Sequence, residues 1–344
     1  MIIIYNCNIF RNNNKGVDKI KSYIANANDE DVRISRFVIN VTKNLPNSIL
    51  HKSFRNKRVK VNKKAVKEDY RIKKDDLIEL YINDEFFSEV SYDIPSSVKK
   101  INDNLMPEII YEDENLIFVN KPTGLLCHSD NTKDISLIDI LKDYLINKGD
   151  YSPQKENIFT PALCNRIDRG TNGIVICAKN YKSLRDMNFI ISHSLLNKQY
   201  LCVVKGVPKS GIYNAYHKRN LHTKKVTISN TEKADYKKIK TGVTVLENNK
   251  DISLCKIDLY TGKTHQIRAH LAFLNHPLLG DTKYGNSEFN YKYKQEKQIL
   301  SSYRVVFFDI PKENTLSYLS QKKFDLKNND TIKLYNAIKM SPAS

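Results

Sequence analysis

Apolar residues recur along this chain with two different periods, and the switches between them mark out its elements. Ile34, Phe37, Val38 and Val41 fall at i, i+3, i+4 and i+7, one face of a helix beginning near residue 33. Asn44, Pro46 and Asn47 end it, and a second helix is expected over 48–54. Short strands are expected at 58–61 and 77–82, and a first strand at 2–5. Further on, 116–119 reads as a strand stopped by the turn Asn120-Lys121-Pro122-Thr123-Gly124. Ser136, with Asp139 three residues on, caps a helix whose inward stripe is Leu137, Leu141, Tyr144 and Leu145. Residues 174–178 form an apolar strand, and 181–193 a helix with Leu184, Met187 and Ile191 inward. Strands follow at 200–204, 243–247, 252–260 and 303–308. In 252–260, Cys255, Ile257 and Leu259 alternate with Lys256, Asp258 and Tyr260. The polar, basic stretch 217–240 reads as an extended loop or hairpin. Strands and helices mix without regular alternation, which favours an α+β fold over a doubly wound sheet.

These elements group into segments. Residues 1–32 open with a strand and turn polar. Residues 33–82 form a small unit, 83–108 a polar linker, 109–310 a larger unit, and 311–344 an extension or tail rich in Lys, Asn and Ser. A chain of 344 residues accommodates two or three domains.

Charge sharpens the picture. Lys and Arg number 56 against 38 Asp and Glu, a net charge of +18. Such an excess points to a polyanionic partner, nucleic acid first and an anionic membrane surface second. A chain this rich in Lys, Ile and Asn carries part of that charge as compositional bias, so its location matters. Residues 52–74 hold eleven Lys and Arg, among them Lys52, Arg55, Lys57, Arg58 and Lys60, with few acids between. That density suits phosphate binding at least as well as a solvated face. Six cysteines occur without a Cys-x-x-Cys pair, as in reduced core thiols. No signal peptide is expected, and no apolar run approaches the ~20 residues that cross a bilayer. A soluble cytoplasmic protein is expected.

Three clusters carry candidate chemistry. In Asn165-Arg166-Ile167-Asp168-Arg169-Gly170 one carboxylate stands between two guanidinium groups at a turn. Positive charge nearby favours the ionised form of a carboxylate, which can act as a nucleophile or a charge partner. Taken alone, the pattern is also that of a surface ion pair. The second cluster, Thr261 to Leu271, follows a strand and starts a helix, with Thr264 a plausible cap. Its two histidines, His265 and His270, are five residues apart and so not on one helix face, and the zinc pattern His-Glu-x-x-His is absent. Capping and packing would account for them. Arg268 reads either as a solvent-facing cation or as a buried partner for a carboxylate such as Asp168. The third cluster is Lys198-Gln199-Tyr200, where Tyr200 suits a sheet core, a base-stacking surface or a proton-transfer role.

Together these motifs resemble the RluA family of pseudouridine synthases. The stretch from Asp113 to His128, the Asn165 to Arg169 turn, Lys198 to Tyr200, Gly262 to Arg268, Gly280-Asp281 and Tyr284-Gly285 stand in that family's order, covering about 109–310. Residues 33–82 resemble the S-four RNA-binding module. The resemblance implies a catalytic domain on a mixed, mainly antiparallel sheet, preceded by a small S-four-like α/β domain. It implies isomerisation of uridines in RNA, 23S ribosomal RNA or ribosomal precursor particles first, by a monomer of a bacterial cytoplasm, with no cofactor, metal or membrane. Asp168 would attack the target uridine, at the base or at the ribose. Tyr200 would stack on the base and help move a proton, and Arg268 would pair with Asp168. Arg166, Arg169 and His265, with Lys52, Arg55, Lys57, Arg58 and Lys60, would contact RNA; Arg166 and Arg169 could instead support the loop. The chain departs from the family's commonest pattern at Asn165, where His is frequent, and at Asn172, where Ser is frequent. An RNA-binding or ribosome-assembly factor on the same fold, without chemistry, is the competing expectation.

Overall fold

The computed structural model describes residues 20–87, 105–130 and 134–340. The expected strand at 2–5 and most of the polar linker lie outside the described residues. The chain divides into two compact units. The first comprises residues up to 104 with 142–161 and 179–182, and the second holds the remainder.

In the first unit, strands β1 (Lys21–Ile24), β2 (Val59–Val61), β3 (Lys64–Ala65) and β4 (Leu77–Leu80) form an antiparallel sheet in the order β1-β4-β2-β3. Helices α1 (Ile34–Val41) and α2 (Asn47–Arg55) bury Ile34, Phe37, Val38, Leu50 and Phe54 with Val59, Ile78 and Leu80. Asn62 and Lys63 join β2 to β3 with φ of 51° and 67°. Two left-handed residues are what a tight hairpin requires, because that turn follows the twist of its strands. The start of the expected linker is structured, since Phe87 is buried in this core. Residues 153–157 are tied to the 26–29 turn of the same unit: Asn26 and Asn28 donate to Glu156, and Asn157 donates to Asp29.

The second unit is built on an eleven-stranded sheet. Its strands are β5 (Glu108–Glu112), β6 (Leu116–Lys121), β7 (Ala162–Leu163), β8 (Asn172–Ala178), β9 (Leu196–Lys205), β10 (Gly211–Arg219), β11 (Val226–Ser229), β12 (Lys237–Asn248), β13 (Ile252–Leu259), β14 (Leu300–Phe307) and β15 (Lys323–Asp325). The order is β11-β10-β12-β13-β9-β14-β8-β6-β5, with β7 added to β8 and β15 to β14. Among the named strands of the described residues β14 and β8 are the one parallel pair, so the sheet is mixed and mainly antiparallel. Ser302 meets Gly173 in that pair, and a Cβ on Gly173, whose φ is 119°, would stand 2.2 Å from the Ser302 carbonyl oxygen. Only glycine allows the two strands to approach this closely.

One layer of core comprises Leu116, Phe118, Ile174, Ile176, Met187, Ile190, Val305 and Phe307. Helix α3 (Leu137–Lys148) starts at Ser136, whose amide and hydroxyl both donate to the Asp139 carboxylate. In α4 (Tyr181–Ser192) the buried positions are Ser183, Asp186, Met187 and Ile190. The expected stripe of Leu184, Met187 and Ile191 does face this core, with Met187 fully buried and Leu184 and Ile191 partly so, and the buried face widens to include Asp186, which accepts from Thr315. The stretch 217–240 is strand and hairpin, with β10 paired to both β11 and β12. Helices α5 (Gln266–Phe273), α6 (Ser287–Lys292) and α7 (Asp330–Met340) complete the unit. The chain beyond 311 is thus partly folded into it: β15 extends the sheet, and Tyr335 and Ile338 of α7 join Val203, Leu254 and Phe289 in a second core cluster.

Candidate active site

A loop of eight residues between β7 and β8 carries Asp168. It is tight because Asn165 substitutes for a strand neighbour. The buried Asn165 side chain accepts from the Ile176 amide at 2.8 Å and donates to the Ile174 carbonyl at 3.3 Å. That satisfies β8 where the short strand β7 leaves it, as buried backbone groups demand. The turn 121–125 braces the loop from beneath. The Gly124 amide donates to the Arg169 carbonyl at 2.7 Å, and Arg169 Nε returns a bond to the Gly124 carbonyl at 3.0 Å. Arg169 also meets Asp134 at 3.4 Å. Lys121 is fully buried, and its Nζ donates to the carbonyls of Pro122, Leu125 and Arg169. Burial pulls the Lys121 ammonium down to about 8, since no carboxylate touches it to compensate.

The loop 261–265 and helix α5 bring the second cluster. The helix begins at Gln266, later than a cap at Thr264 implies, because His265 takes the left-handed conformation (φ 52°). Gln266 is buried and pins the loop: its Oε1 accepts from the Thr261 hydroxyl and the Lys263 amide, and its Nε2 donates to Thr241. This places Arg268 in the first helical turn with its guanidinium largely enclosed. Nη1 donates to Asp168 Oδ2 at 3.0 Å. Nε and Nη2 donate to the two oxygens of buried Asp281 at 2.7 and 2.9 Å. Burial opposes the charge on Arg268, but the hydrogen bonds and charges of Asp281 and then Asp168 outweigh it and hold the guanidinium above its usual range. The same pairing holds the Asp281 carboxyl below its usual range against the effect of burial. Asp168 Oδ1 has no partner among the described residues.

Tyr200, on β9, lies 5% exposed with its hydroxyl against Ser302. Burial pushes its phenol well up, so it stays protonated across the physiological range. His265 Nε2 stands 4.0 Å from Asp168, and its Nδ1 meets the Tyr284 hydroxyl at 2.9 Å. Burial lowers the His265 pKa, which favours the neutral ring. His270, by contrast, is a core residue whose Nδ1 bonds Thr241 Oγ1 at 3.0 Å.

These groups line one cavity of about 670 Å³, within the usual size for a small-molecule site. Asp168, Tyr200, Arg268, His265, Arg166 and Arg169 all border it. Arg166 is exposed, whereas Arg169 is committed to the brace just described. Lys52, Arg55, Lys57, Arg58 and Lys60 belong to the first unit, while the cavity is built wholly from the second. Two groups that shape the site went unassigned from sequence. Asp281 and Lys121 sit inside quoted motifs, Gly280-Asp281 and Lys121-Pro122, and only long-range folding reveals what they hold. Among the described residues no cluster of three or more metal-ligating side chains occurs. A carboxylate held by a guanidinium beside a buried phenol can deliver a nucleophile and a proton donor to one bound group.

A family model described as RNA pseudouridylate synthase matches residues 115–273. An uncharacterized RNA pseudouridine synthase of Mycoplasma capricolum is 33% identical over 315 residues, 90% of this chain and 98% of the relative. Ribosomal large subunit pseudouridine synthase C of Vibrio parahaemolyticus is 30% identical over 279 residues, 76% of this chain and 80% of the relative. Among solved structures, the human RNA pseudouridylate synthase domain containing 4 aligns with a TM-score of 0.54 at 18% identity, over 70% of this chain and 96% of that one. That last likeness concerns the fold.

Proposed function

The chain belongs to the RNA pseudouridylate synthase family and is an RNA pseudouridine synthase, and from that premise we propose that it acts on ribosomal RNA of the large subunit, with Asp168 attacking an extruded uridine. A relative named for the large ribosomal subunit supports the substrate. The observation that carries the site is the carboxylate of Asp168, held through Oδ2 by Arg268 at 3.0 Å with Oδ1 uncommitted at the cavity. A reading as an RNA-binding or assembly factor without chemistry has no support.

The reaction breaks the N1–C1′ bond of uridine, turns the uracil, and forms a C5–C1′ bond. The C5 proton is lost and N1 takes one up. Such chemistry requires the nucleotide out of its stack. Asp168 supplies the attacking oxygen, at the base or at the ribose carbon. Arg268 fixes its direction and is itself fixed by Asp281, so little reorganisation accompanies the attack. Tyr200 offers a flat face and a protonated hydroxyl beside the base. Arg166 faces solvent at the cavity and suits a phosphate contact, whereas Arg169 supports the loop. His265, neutral, suits a hydrogen bond to the RNA.

In the first unit, Lys52, Arg55, Lys57, Arg58 and Lys60 offer a basic surface on α2, the turn after it and β2, which we read as an S-four-like RNA-binding module. RNA backbone charge attracts it in a salt-dependent manner. Among the described residues no helix is long and apolar enough to cross a membrane, and action in the cytoplasm, by a single chain, suits an rRNA substrate.

Ribosomal RNA carrying tritium at uracil C5 tests the reading. Wild-type protein should release tritium to water, and Asp168→Ala should release none while still binding RNA. Absence of release by wild type from any large-subunit fragment would overturn the substrate, and release by the Asp168 variant would overturn the assignment.

A further inference from the structure

Lys198 stands two residues before Tyr200 on β9, so both side chains leave the same face of the sheet and both line the cavity. Lys198 is partly buried, yet its Nζ has no hydrogen-bond or ion-pair partner among the described residues. The acids around it are engaged elsewhere. Asp258 is opposite Gln199 in the β13–β9 register and therefore faces the other side, where it accepts from Asn197 and Gln199. Asp168 is held by Arg268 through Oδ2, and no ion pair joins it to Lys198. Burial alone acts on the Lys198 ammonium, lowering its pKa. An enclosed cation without a counter-charge is costly, and a methionine would fill the same space without that cost. The chain therefore maintains a charge that nothing in the free protein uses.

Where the charge ends is informative. A Cβ placed on Gly262 would come 3.3 Å from Lys198 Nζ, so the ammonium nests against the bare backbone of that residue. Gly262 and Lys263 are both exposed and both border the cavity. The ammonium thus reaches the exposed Gly262–Lys263 segment at the cavity's edge, while Tyr200 from the same strand stays enclosed. An extruded nucleotide presents its base inward and its backbone at the rim.

We propose that Lys198, nested on Gly262 beside Lys263, is a phosphate subsite that takes a phosphodiester adjoining the extruded uridine. The subsite rests on the RNA substrate proposed above and deepens it. A phosphate contact adds affinity without reading sequence, so Lys198 would help hold the RNA backbone at the cavity rim.

The test measures RNA binding across salt concentrations together with the single-turnover rate at saturating RNA. Lys198→Met removes an unpaired charge and should leave the melting temperature equal or higher. Its affinity should fall about ten-fold at 0.1 M salt, and the slope of log K against log salt should lessen by roughly 0.7 to 0.9, the share of one phosphate. Its saturated rate should stay within about three-fold of wild type, as expected when a contact contributes binding without transition-state stabilisation. Lys198→Arg should keep the slope. Gly262→Ala, which crowds the nest without altering charge, should weaken binding as well. An unchanged slope in Lys198→Met would overturn the subsite. So would a lost saturated rate with affinity retained, since the ammonium would then serve the departing uracil. Failure of the substrate reading is seen separately, as absent tritium release by wild type.

Discussion

Asp281 grips Arg268 through two hydrogen bonds of 2.7 and 2.9 Å, and Arg268 then reaches Asp168 at 3.0 Å. The carboxylate proposed to attack is therefore aimed by a second carboxylate that does not border the cavity. Asp281 is 1% exposed and takes two further bonds from the amides of Lys283 and Tyr284, so its own position is fixed by the turn after Gly280. In Asp281→Asn the amide cannot accept both guanidinium donors, and Arg268 loses its direction. We expect the saturated rate to fall by about a hundred-fold, the scale at which a misplaced group costs catalysis, with RNA affinity within about three-fold. Asp281→Glu should recover part of the rate if the carboxylate is what matters. Stability should also drop by roughly 3 kcal/mol, as when a buried charge pair loses one member. Equal losses of rate and affinity would reduce Asp281 to a packing residue.

Tyr200 separates stacking from proton transfer. Tyr200→Phe retains the ring and loses only the hydroxyl that meets Ser302. If that hydroxyl moves a proton, the rate should fall about a hundred-fold or more with affinity nearly intact, since general acid–base groups contribute ~10²–10⁴. Tyr200→Ala should then weaken binding too. A fully active Tyr200→Phe would leave the tyrosine a stacking surface alone.

Sequence periodicity reached the sheet and failed at its joints. The alternation of Cys255, Ile257 and Leu259 against Lys256 and Asp258 appears in the second half of β13, buried and partly exposed by turns, whereas Ile252 to Cys255 are buried on both faces; a strand's period of two survives in the residues themselves only where one face is open. The helix of the second cluster was displaced because a left-handed His265 has no local signature; the bond from its ring to Tyr284, nineteen residues on, accompanies that conformation. The buried face of α4 is wider than its apolar stripe for a similar reason, since Asp186 looks polar in sequence and its burial is matched by Thr315 and Arg185. Helix α7 went unassigned because its buried face is Thr331, Tyr335 and Ile338, a spacing masked by neighbouring Lys and Asn. In the site, Asp168 and Arg268 stand 100 residues apart. Their residue types suggested a pair, but Asp281 as the third member depends on the fold.

His270 makes stability sensitive to acid. Burial pushes its pKa down to about 4 from an ordinary 6.5, so between these values the unfolded chain binds the proton that the folded chain refuses. Protons taken up on unfolding favour the unfolded state, and stability falls as pH drops through that window. From pH 7 to pH 5 this residue alone should cost about 2 kcal/mol. Urea denaturation of His270→Gln at the two pH values should show a correspondingly smaller acid loss. An identical loss in the variant would mean that other groups carry the effect.

The basic surface of the first unit yields a prediction independent of chemistry. Lys52, Arg55, Lys57 and Arg58 are exposed, and Lys60 lies over the Tyr81 ring at 4.6 Å. If these five side chains bind RNA phosphates, replacing all five by Gln removes up to five counterion releases. The log–log salt slope should then lessen by about 3.5 to 4.5 if every one is used, and in proportion if fewer are. Because Asp168, Arg268 and Tyr200 lie in the second unit, the saturated single-turnover rate should change little while the RNA concentration needed for half-saturation rises. Binding measured from 50 to 300 mM salt checks the slope, and tritium release at saturating RNA checks the rate. A slope identical to wild type would show that this surface does not touch the RNA backbone, and the N-terminal unit would need another role.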